Sequence, residues 1–284
     1  MPNNSDLVSP TAKMVALMRA LSDIPYSRQV AQLCRADQAV REYLGEDFDY
    51  IMERAALAEL RFKSLSAAIH KMDVKQVVEL ASGLSPRGVI FSKDPAIHYL
   101  EYDLPDVQIE KRHILPHLLE WKPRPNLQVM EVDALSDAQM FATRNLLRRE
   151  PTAIVHEGLM HYLHRGLKQK LILNIKLLLS MLPQPQLWIT PDIITRDRYK
   201  KFLDADPRAR RVIEKINGLT ATDLMSNAFE DREEAQSFIE GFGFRVQKFR
   251  QTDLARQLSI PLSSGMWERL AQEEVWVMTS QRGS

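Results

Sequence analysis

The sequence predicts an α/β fold: a seven-stranded, mostly parallel sheet with helices on both faces and an all-helical segment ahead of it. Three observations carry this. Residues 9–72 carry helical apolar spacing throughout. From residue 76, short β-branched runs alternate with longer helical runs, the pattern of parallel strands joined by crossover helices. Near the C-terminus two further strand-like runs, 243–249 and 274–280, look like a closing pair of strands.

In chain order, residues 1–8 read as a loose leader. Ser9-Pro10-Thr11 starts a helix, with proline tolerated in the first turn. Met14, Leu17, Met18 and Leu21 then form a helical stripe. A second helix is expected over 27–44 and a third over 50–72, the latter with Ile51, Ala55, Leu57, Leu60, Leu65 and Ile69 at steps of three and four. Strands are expected over 76–82 (QVVELAS), 96–103 (AIHYLEYD), 126–133 (NLQVMEVD), 152–157 (TAIVHE) and 186–192 (QLWITPD). The clearest crossover helix spans 165–182, with Leu167, Leu171, Ile175, Leu178 and Leu182 on one stripe. The segment 196–211 is locally basic, with seven Arg or Lys against three Asp. It reads as a solvated helix face or as a lid over a pocket for an anion.

The 284 residues suffice for one sizeable core. Apolar residues make up 45% and charged residues 26%, the balance of a soluble globular chain. A net charge of +1 argues against nucleic acid as a partner, because no broad surface neutralises phosphates. Cys34 is the single cysteine, so a metal site would rest on histidines and carboxylates. No basic and apolar leader marks a signal peptide. The most apolar run, 171–182, is short and broken by Asn174 and Lys176, so no membrane span is expected. A cytoplasmic chain is the expectation.

IVHEGLMHYL, residues 154–163, nearly matches the His-Glu-x-x-His zinc signature. A zinc pair on a helix needs histidines four apart. His156 and His161 are five apart, about 140° round a helix, and His156 belongs to the strand. The weight falls on Glu157, the acid that closes the fourth strand.

In an open parallel sheet, ligands bind beyond the carboxyl ends of the strands. Here the first strand, with Glu79 as a candidate cofactor-binding residue, ends in the small-residue turn Ala81-Ser82-Gly83. The second ends in Asp103, the third in Asp133-Ala134 and the fourth in Glu157. A carboxylate has two acceptor oxygens for a ribose diol. A small-residue turn followed by three acidic strand ends describes a nucleoside pocket. GxGxxG is absent, which disfavours an NAD oxidoreductase. A ribose-bearing cofactor without pyrophosphate and with a sulfonium cation, S-adenosylmethionine (SAM), suits acidic walls better.

The strings VVELASGLSPRG, LEYDLPDVQIEKRHIL, VMEVDALSD and AIVHEGLMHYL together resemble the leucine carboxyl methyltransferase family, which includes bacterial polyketide carboxyl O-methyltransferases. The likeness covers roughly residues 55–165. Its motifs are V-x-L-G-x-G-x-D-x-R, then E-x-D-x-P-x-V-x-x-x-K, then a D-L after the third strand, then E-G-x-x-x-Y-L. The resemblance implies a Rossmann-like SAM-binding core over 73–284, a helical N-terminal lid over 1–72 and a lid insertion at about 195–230. It implies that Ala81 and Gly83 line the cofactor's amino-acid tail, that Asp103 binds the ribose and that Asp133 and Ala134 flank the adenine. Glu157 would face the amino group and Arg61 the carboxylate. Tyr162 would face the substrate, and Arg198 and Tyr199, with Arg196 and Lys201, are candidates for meeting an acceptor's negative charge. The implied reaction is methyl transfer to a carboxylate of a small molecule or a peptide C-terminus, with no general base. Ala81 stands where the family has glycine and Ser85 where it has aspartate. Alanine is expected to fit this turn with a negative φ. These departures leave open a non-catalytic SAM-binding or regulatory protein on the same fold.

Overall fold

The computed structural model describes residues 8–262 and 264–280. Its centre is a seven-stranded sheet in the order β3-β2-β1-β4-β5-β7-β6. The strands are β1 (Gln76–Leu80), β2 (His98–Asp103), β3 (Leu127–Glu131), β4 (Thr152–His156), β5 (Gln186–Thr190), β6 (Phe244–Arg250) and β7 (Glu274–Ser280). The first five run parallel, and β7 lies antiparallel to both β5 and β6. All seven expected strands are present, each within two residues at either end.

The helices are α1 (Val8–Ala20), α2 (Ser27–Leu33), α3 (Ala36–Leu44), α4 (Phe48–Met52), α5 (Ala55–Lys71), α6 (Arg87–Phe91), α7 (Pro105–Leu118), α8 (Asp137–Ala142), α9 (Arg165–Ser180), α10 (Arg196–Ala205), α11 (Pro207–Thr220), α12 (Leu224–Asn227), α13 (Arg232–Glu240), α14 (Gln251–Leu254) and α15 (Ser264–Leu270). The leader expected over 1–8 lies, but for Val8, outside the described residues. The helix expected over 27–44 is two helices, because Arg35 takes a left-handed φ of 51° between them. That over 50–72 is also two, parted at Glu53-Arg54. Neither break carries a glycine or proline, so sequence spacing alone did not mark it.

Side chains alternate across the sheet, as strand geometry requires. Val78, Leu80, Leu100, Tyr102, Ile154 and Trp188 face one layer, covered by Leu171, Ile175 and Leu178 of α9 and by Ala235 and Ile239 of α13. Val77, Tyr99, Ala153, Val155, Leu187 and Ile189 face the other, covered by Leu65, Ala68 and Ile69 of α5. The C-terminal half of α5 is therefore part of the sheet layer. A separate apolar cluster joins α1, α3, α4 and α5 to α10, α11 and α12. Cys34 is buried in a further cluster with Val30, Leu84 and Ile114. No described helix is long and apolar enough to cross a membrane.

The strand order reverses between β1 and β4. Register aligns their ends: Leu80 pairs with both Tyr102 and His156. The turn after β1, Asp103 and Glu157 thus meet at one rim, the switch point at which open α/β sheets bind ligands.

Candidate active site at the strand ends

The turn after β1 is built by hydrogen bonds to its neighbours. Ser82 N donates to Tyr102 O at 3.1 Å and Gly83 N to Asp103 Oδ2 at 2.6 Å. The other oxygen of Asp103 accepts from Leu104 N at 2.8 Å. Burial raises the Asp103 pKa, and the two N–H donors offset this only in part. Each oxygen retains a further lone pair for a hydroxyl. Lys111 sits behind the turn, 3.1 Å from Ser82 Oγ and 2.7 Å from Glu101 Oε2.

Ala81 departs from expectation. Its φ is +48°, the left-handed region that disfavours a side chain by about 1–2 kcal/mol. The two residues that follow it, Ser82 and Gly83, are both tied to the end of β2 through Tyr102 O and Asp103 Oδ2. Ser85, in place of aspartate, is buried, and its Oγ accepts from Arg87 N at 3.3 Å. A hydroxyl thus supports the start of α6 where a carboxylate would do the same.

Glu157 is the centre of a buried ionic cluster. Its side chain is 4% exposed and takes Arg19 Nη2 at 2.8 Å, Arg87 Nη2 at 2.7 Å and Arg61 Nε at 3.7 Å. Burial alone would push its pKa up, but the guanidinium groups of Arg19, Arg87 and Arg61 hold it at about 2. Arg87 also pairs with Glu79, whose second oxygen accepts from Tyr99 OH at 2.7 Å. Glu79, expected at the cofactor, is instead spent on these two partners and lies inside the structural network, beneath the rim. Arg61 pairs with Asp192 at 2.6 Å. Three arginines thus meet three carboxylates, each charge compensated as burial demands.

Asp192 was not foreseen as a site residue. It follows β5 and accepts from Gly158 N and Leu159 N at 2.8 Å each and from His156 Nδ1 at 3.1 Å. Trp188 Nε1 donates to His156 Nε2 at 3.0 Å, which fixes the tautomer with its proton on Nδ1. His156 thus staples β4 to β5, and Asp192 holds the backbone that presents Glu157. His161 lies in a short 3-10 turn, with burial lowering its pKa to about 4. Among the described residues no group of three or more His, Cys, Asp or Glu is arranged to hold a metal ion.

Arg19 and Arg87 were also missed. Arg19 is 5% exposed while Leu21, assigned to the apolar stripe, is 51% exposed. The charge, not the leucine, faces inward. Arg87 carried a signal, since it fills the final arginine of the V-x-L-G-x-G-x-D-x-R motif. Helix α1 crosses the rim: Thr11 bonds the Tyr162 hydroxyl, and a Cβ built on Gly83 would lie 3.8 Å from Ala12 Cβ.

Asp133 and Ala134 follow β3. Asp133 Oδ1 accepts from Leu135 N at 2.8 Å, and Ala134 is buried with its carbonyl taken by Asn174 Nδ2 at 2.9 Å. Tyr199 is buried in the apolar cluster beside Tyr162. Arg198 pairs with Glu273, and burial, with Arg61 and Arg232 nearby, lowers its pKa to about 10. Arg196 and Lys201 are exposed, pairing with Glu230 and Asp197.

The donors present fit SAM. A zwitterionic amino-acid tail requires a cation and an anion together, which Arg19, Arg61 and Glu157 supply. The Nε atoms of Arg19 and Arg61 are buried without a hydrogen-bond partner. A ribose requires paired acceptors, which Asp103 supplies.

Comparison with known proteins bears on the family and the fold. The family model described as leucine carboxyl methyltransferase matches residues 5–176. A DUF574 family protein from Streptomyces avermitilis has a similar structure at TM-score 0.58 and 14% identity, covering 95% of this chain and 97% of that one. An O-methyltransferase family protein from Burkholderia thailandensis is similar at TM-score 0.51 and 13% identity, over 90% of this chain and 64% of that one. Human N-acetylserotonin methyltransferase in complex with SAM is similar at TM-score 0.50 and 12% identity, over 87% and 59%. No curated protein matches by sequence.

Proposed function

The chain belongs to the leucine carboxyl methyltransferase family, a family of SAM-dependent enzymes, and from that premise we propose that it methylates a carboxylate oxygen of a small molecule or a peptide C-terminus. The observation that carries this reading is the ionised Glu157 among three arginines at the switch point. When bound, SAM supplies an electrophilic methyl group on a sulfonium.

In this reading Asp103 takes the ribose hydroxyls, Glu157 the amino group, and Arg61 with Arg19 the carboxylate. Ala81 and Gly83 line the amino-acid tail, Asp133 and Ala134 flank the adenine, and Glu79 anchors Arg87 from below. An arginine fork suits a carboxylate because its N–H groups match both oxygens. Tyr162, Tyr199 and Arg198 position the acceptor. A carboxylic acid with a pKa of about 4 is already ionised at neutral pH, so no general base is needed. The chain's task is to hold one oxygen in line with the methyl and to exclude water. The helices ahead of the C-terminal half of α5 and the segment 195–230 act as lid and acceptor-selecting insertion, and the core begins within α5, whose Leu65, Ala68 and Ile69 cover the sheet, in a cytoplasmic chain.

Calorimetric titration with S-adenosylhomocysteine (SAH) tests the reading. Wild type should bind, and Asp103→Asn should bind at least about ten-fold more weakly, the loss expected for a hydrogen-bonded charge. Absence of binding by wild type refutes it. The strained turn at Ala81 favours a second reading, a SAM-binding protein without catalysis. Transfer of labelled methyl from SAM to any carboxylic acid rules that out.

A further inference from the structure

A buried carboxylate with no part in the reading above sits on α5. Glu59 lies two residues before Arg61 and is 0% exposed. Its charge is compensated, as burial demands. Lys63 Nζ, one helical turn on, lies 2.6 Å from Oε1. Ser259 donates to the same oxygen twice, from N at 2.6 Å and from Oγ at 2.9 Å. Ile260 N donates to Oε2 at 3.1 Å. Glu59 thus pins the segment 255–260, which follows α14 and is neither helix nor strand. Leu258 of this segment packs with Leu57 and Leu60 of α5. Ile260 packs on the cluster that includes Met14, Leu17 and Tyr162.

Ser259 Oγ also reaches the end of α1. It gives its proton to Glu59 and accepts from Asp23 N at 2.9 Å, across 236 positions of chain. Lys63 spans the same gap with an ion pair to Asp23 Oδ1 at 2.7 Å. A tight turn joins Asp23 to Arg19. Both N and Oγ of Ser22 donate to Arg19 O, at 3.0 Å and 2.6 Å, and Ile24 N donates to Ser22 Oγ at 3.3 Å. A relay therefore runs from Glu59 through Ser259, Asp23 and Ser22 to Arg19, whose guanidinium meets Glu157 at 2.8 Å. Arg19 also lies over the Phe62 ring, 5.2 Å from its centroid, on the same turn of α5 as Lys63. Helix ends fray, and Arg19 stands in the last turn of α1. Without an anchor beyond that turn, its side chain would share the fraying.

We propose that Ser259 and Glu59 are positioning residues for cofactor binding. They clamp the end of α1 to α5 and so hold Arg19 in place for the carboxylate of the cofactor's amino-acid tail. Both act through Arg19. A side chain ordered in advance spares the ligand the entropy of ordering it. This rests on the methyltransferase reading of the same site and adds the support that reading lacks at α1.

Calorimetric titration with SAH tests it. Ser259→Ala removes the hydroxyl that joins Asp23 to Glu59 and keeps the backbone bond to Glu59. It should bind SAH about three- to ten-fold more weakly, the range one net hydrogen bond spans. Ser259→Thr keeps the hydroxyl and should bind as wild type does. In an Arg19→Gln background, Ser259→Ala should cost less than about two-fold, because the group it positions is gone. Amide exchange at the end of α1, from Leu17 to Ala20, should quicken in Ser259→Ala and not in Ser259→Thr. A loss of affinity that threonine does not restore, or one as large without Arg19 as with it, overturns the proposal. Unchanged exchange at α1 overturns it too, whether or not Arg19→Gln folds. SAH binding that Ser259→Ala leaves unchanged overturns this proposal alone. No SAH binding by wild type refutes the cofactor reading and this proposal with it.

Discussion

Glu157→Gln tests the logic of the ionic cluster directly. Glutamine keeps the shape of the side chain but removes its charge. Arg19, Arg61 and Arg87 then face only Glu79 and Asp192. Removing one partner of a buried ionic group costs about 3–5 kcal/mol, because the remaining charges are left uncompensated. The titration of Glu157 gives the same scale by another route. Its pKa is held at about 2 against the usual 4.5. At about 1.4 kcal/mol for each tenfold change, this corresponds to roughly 3 kcal/mol of stability at neutral pH. The sign follows from the depressed value: the contribution is fully present above about pH 4.5 and is lost as pH falls through about 2. Urea unfolding followed by circular dichroism should therefore show a deficit of about 3 kcal/mol for the variant at pH 7, narrowing steadily below pH 4.5. A deficit under about 1 kcal/mol, or one that does not change between pH 7 and pH 3, refutes the reasoning.

Three further outcomes are expected. Gly88→Ala would set a Cβ 2.4 Å from Glu101 Oε1 and 2.9 Å from Leu127 Cδ1. Glu101 is held by Lys111 and cannot swing clear, so thermal unfolding should show a loss of about 2–3 kcal/mol. Ala81→Gly relieves a left-handed backbone at some cost in chain entropy, and it should raise stability by about 0.5–1 kcal/mol in the same assay. His161 stays neutral in the fold down to about pH 4, whereas the unfolded chain protonates near 6.5. Its contribution is thus complete above pH 6.5 and falls by up to about 1.4 kcal/mol per pH unit down to pH 4. His161→Phe should flatten that part of the stability profile, and an unchanged slope would show that the imidazole is not held neutral.

Much of the fold was legible because periodicity is local. QVVEL, HYLEYD and TAIVH announce strands by β-branched content, and the 165–182 stripe announces α9 by its spacing. The acids at the strand ends were legible too, since a strand's last residue must project at the rim. The break at Arg35 was not, because a left-handed residue without glycine leaves no mark in composition, and that at Glu53-Arg54 has neither glycine nor proline to announce it. Arg19 was hidden for another reason. In MVALMRALSD an arginine beside an apolar stripe reads as surface, and only its partner, 138 positions away in Glu157, draws it inward.

The sequence by itself determined the alternation of strands and helices, the three acidic strand ends and the motifs that mark the family. Each of these depends on residues close together in the chain. Tertiary structure alone decided which charges neutralise which. Asp192 gathers His156 and the backbone of Gly158 and Leu159 because β5 lies beside β4. Glu157 stays ionised because α1, α5 and α6 each bring an arginine to it. A buried charge must find its counter-charge in space, and distance along the chain does not encode that meeting.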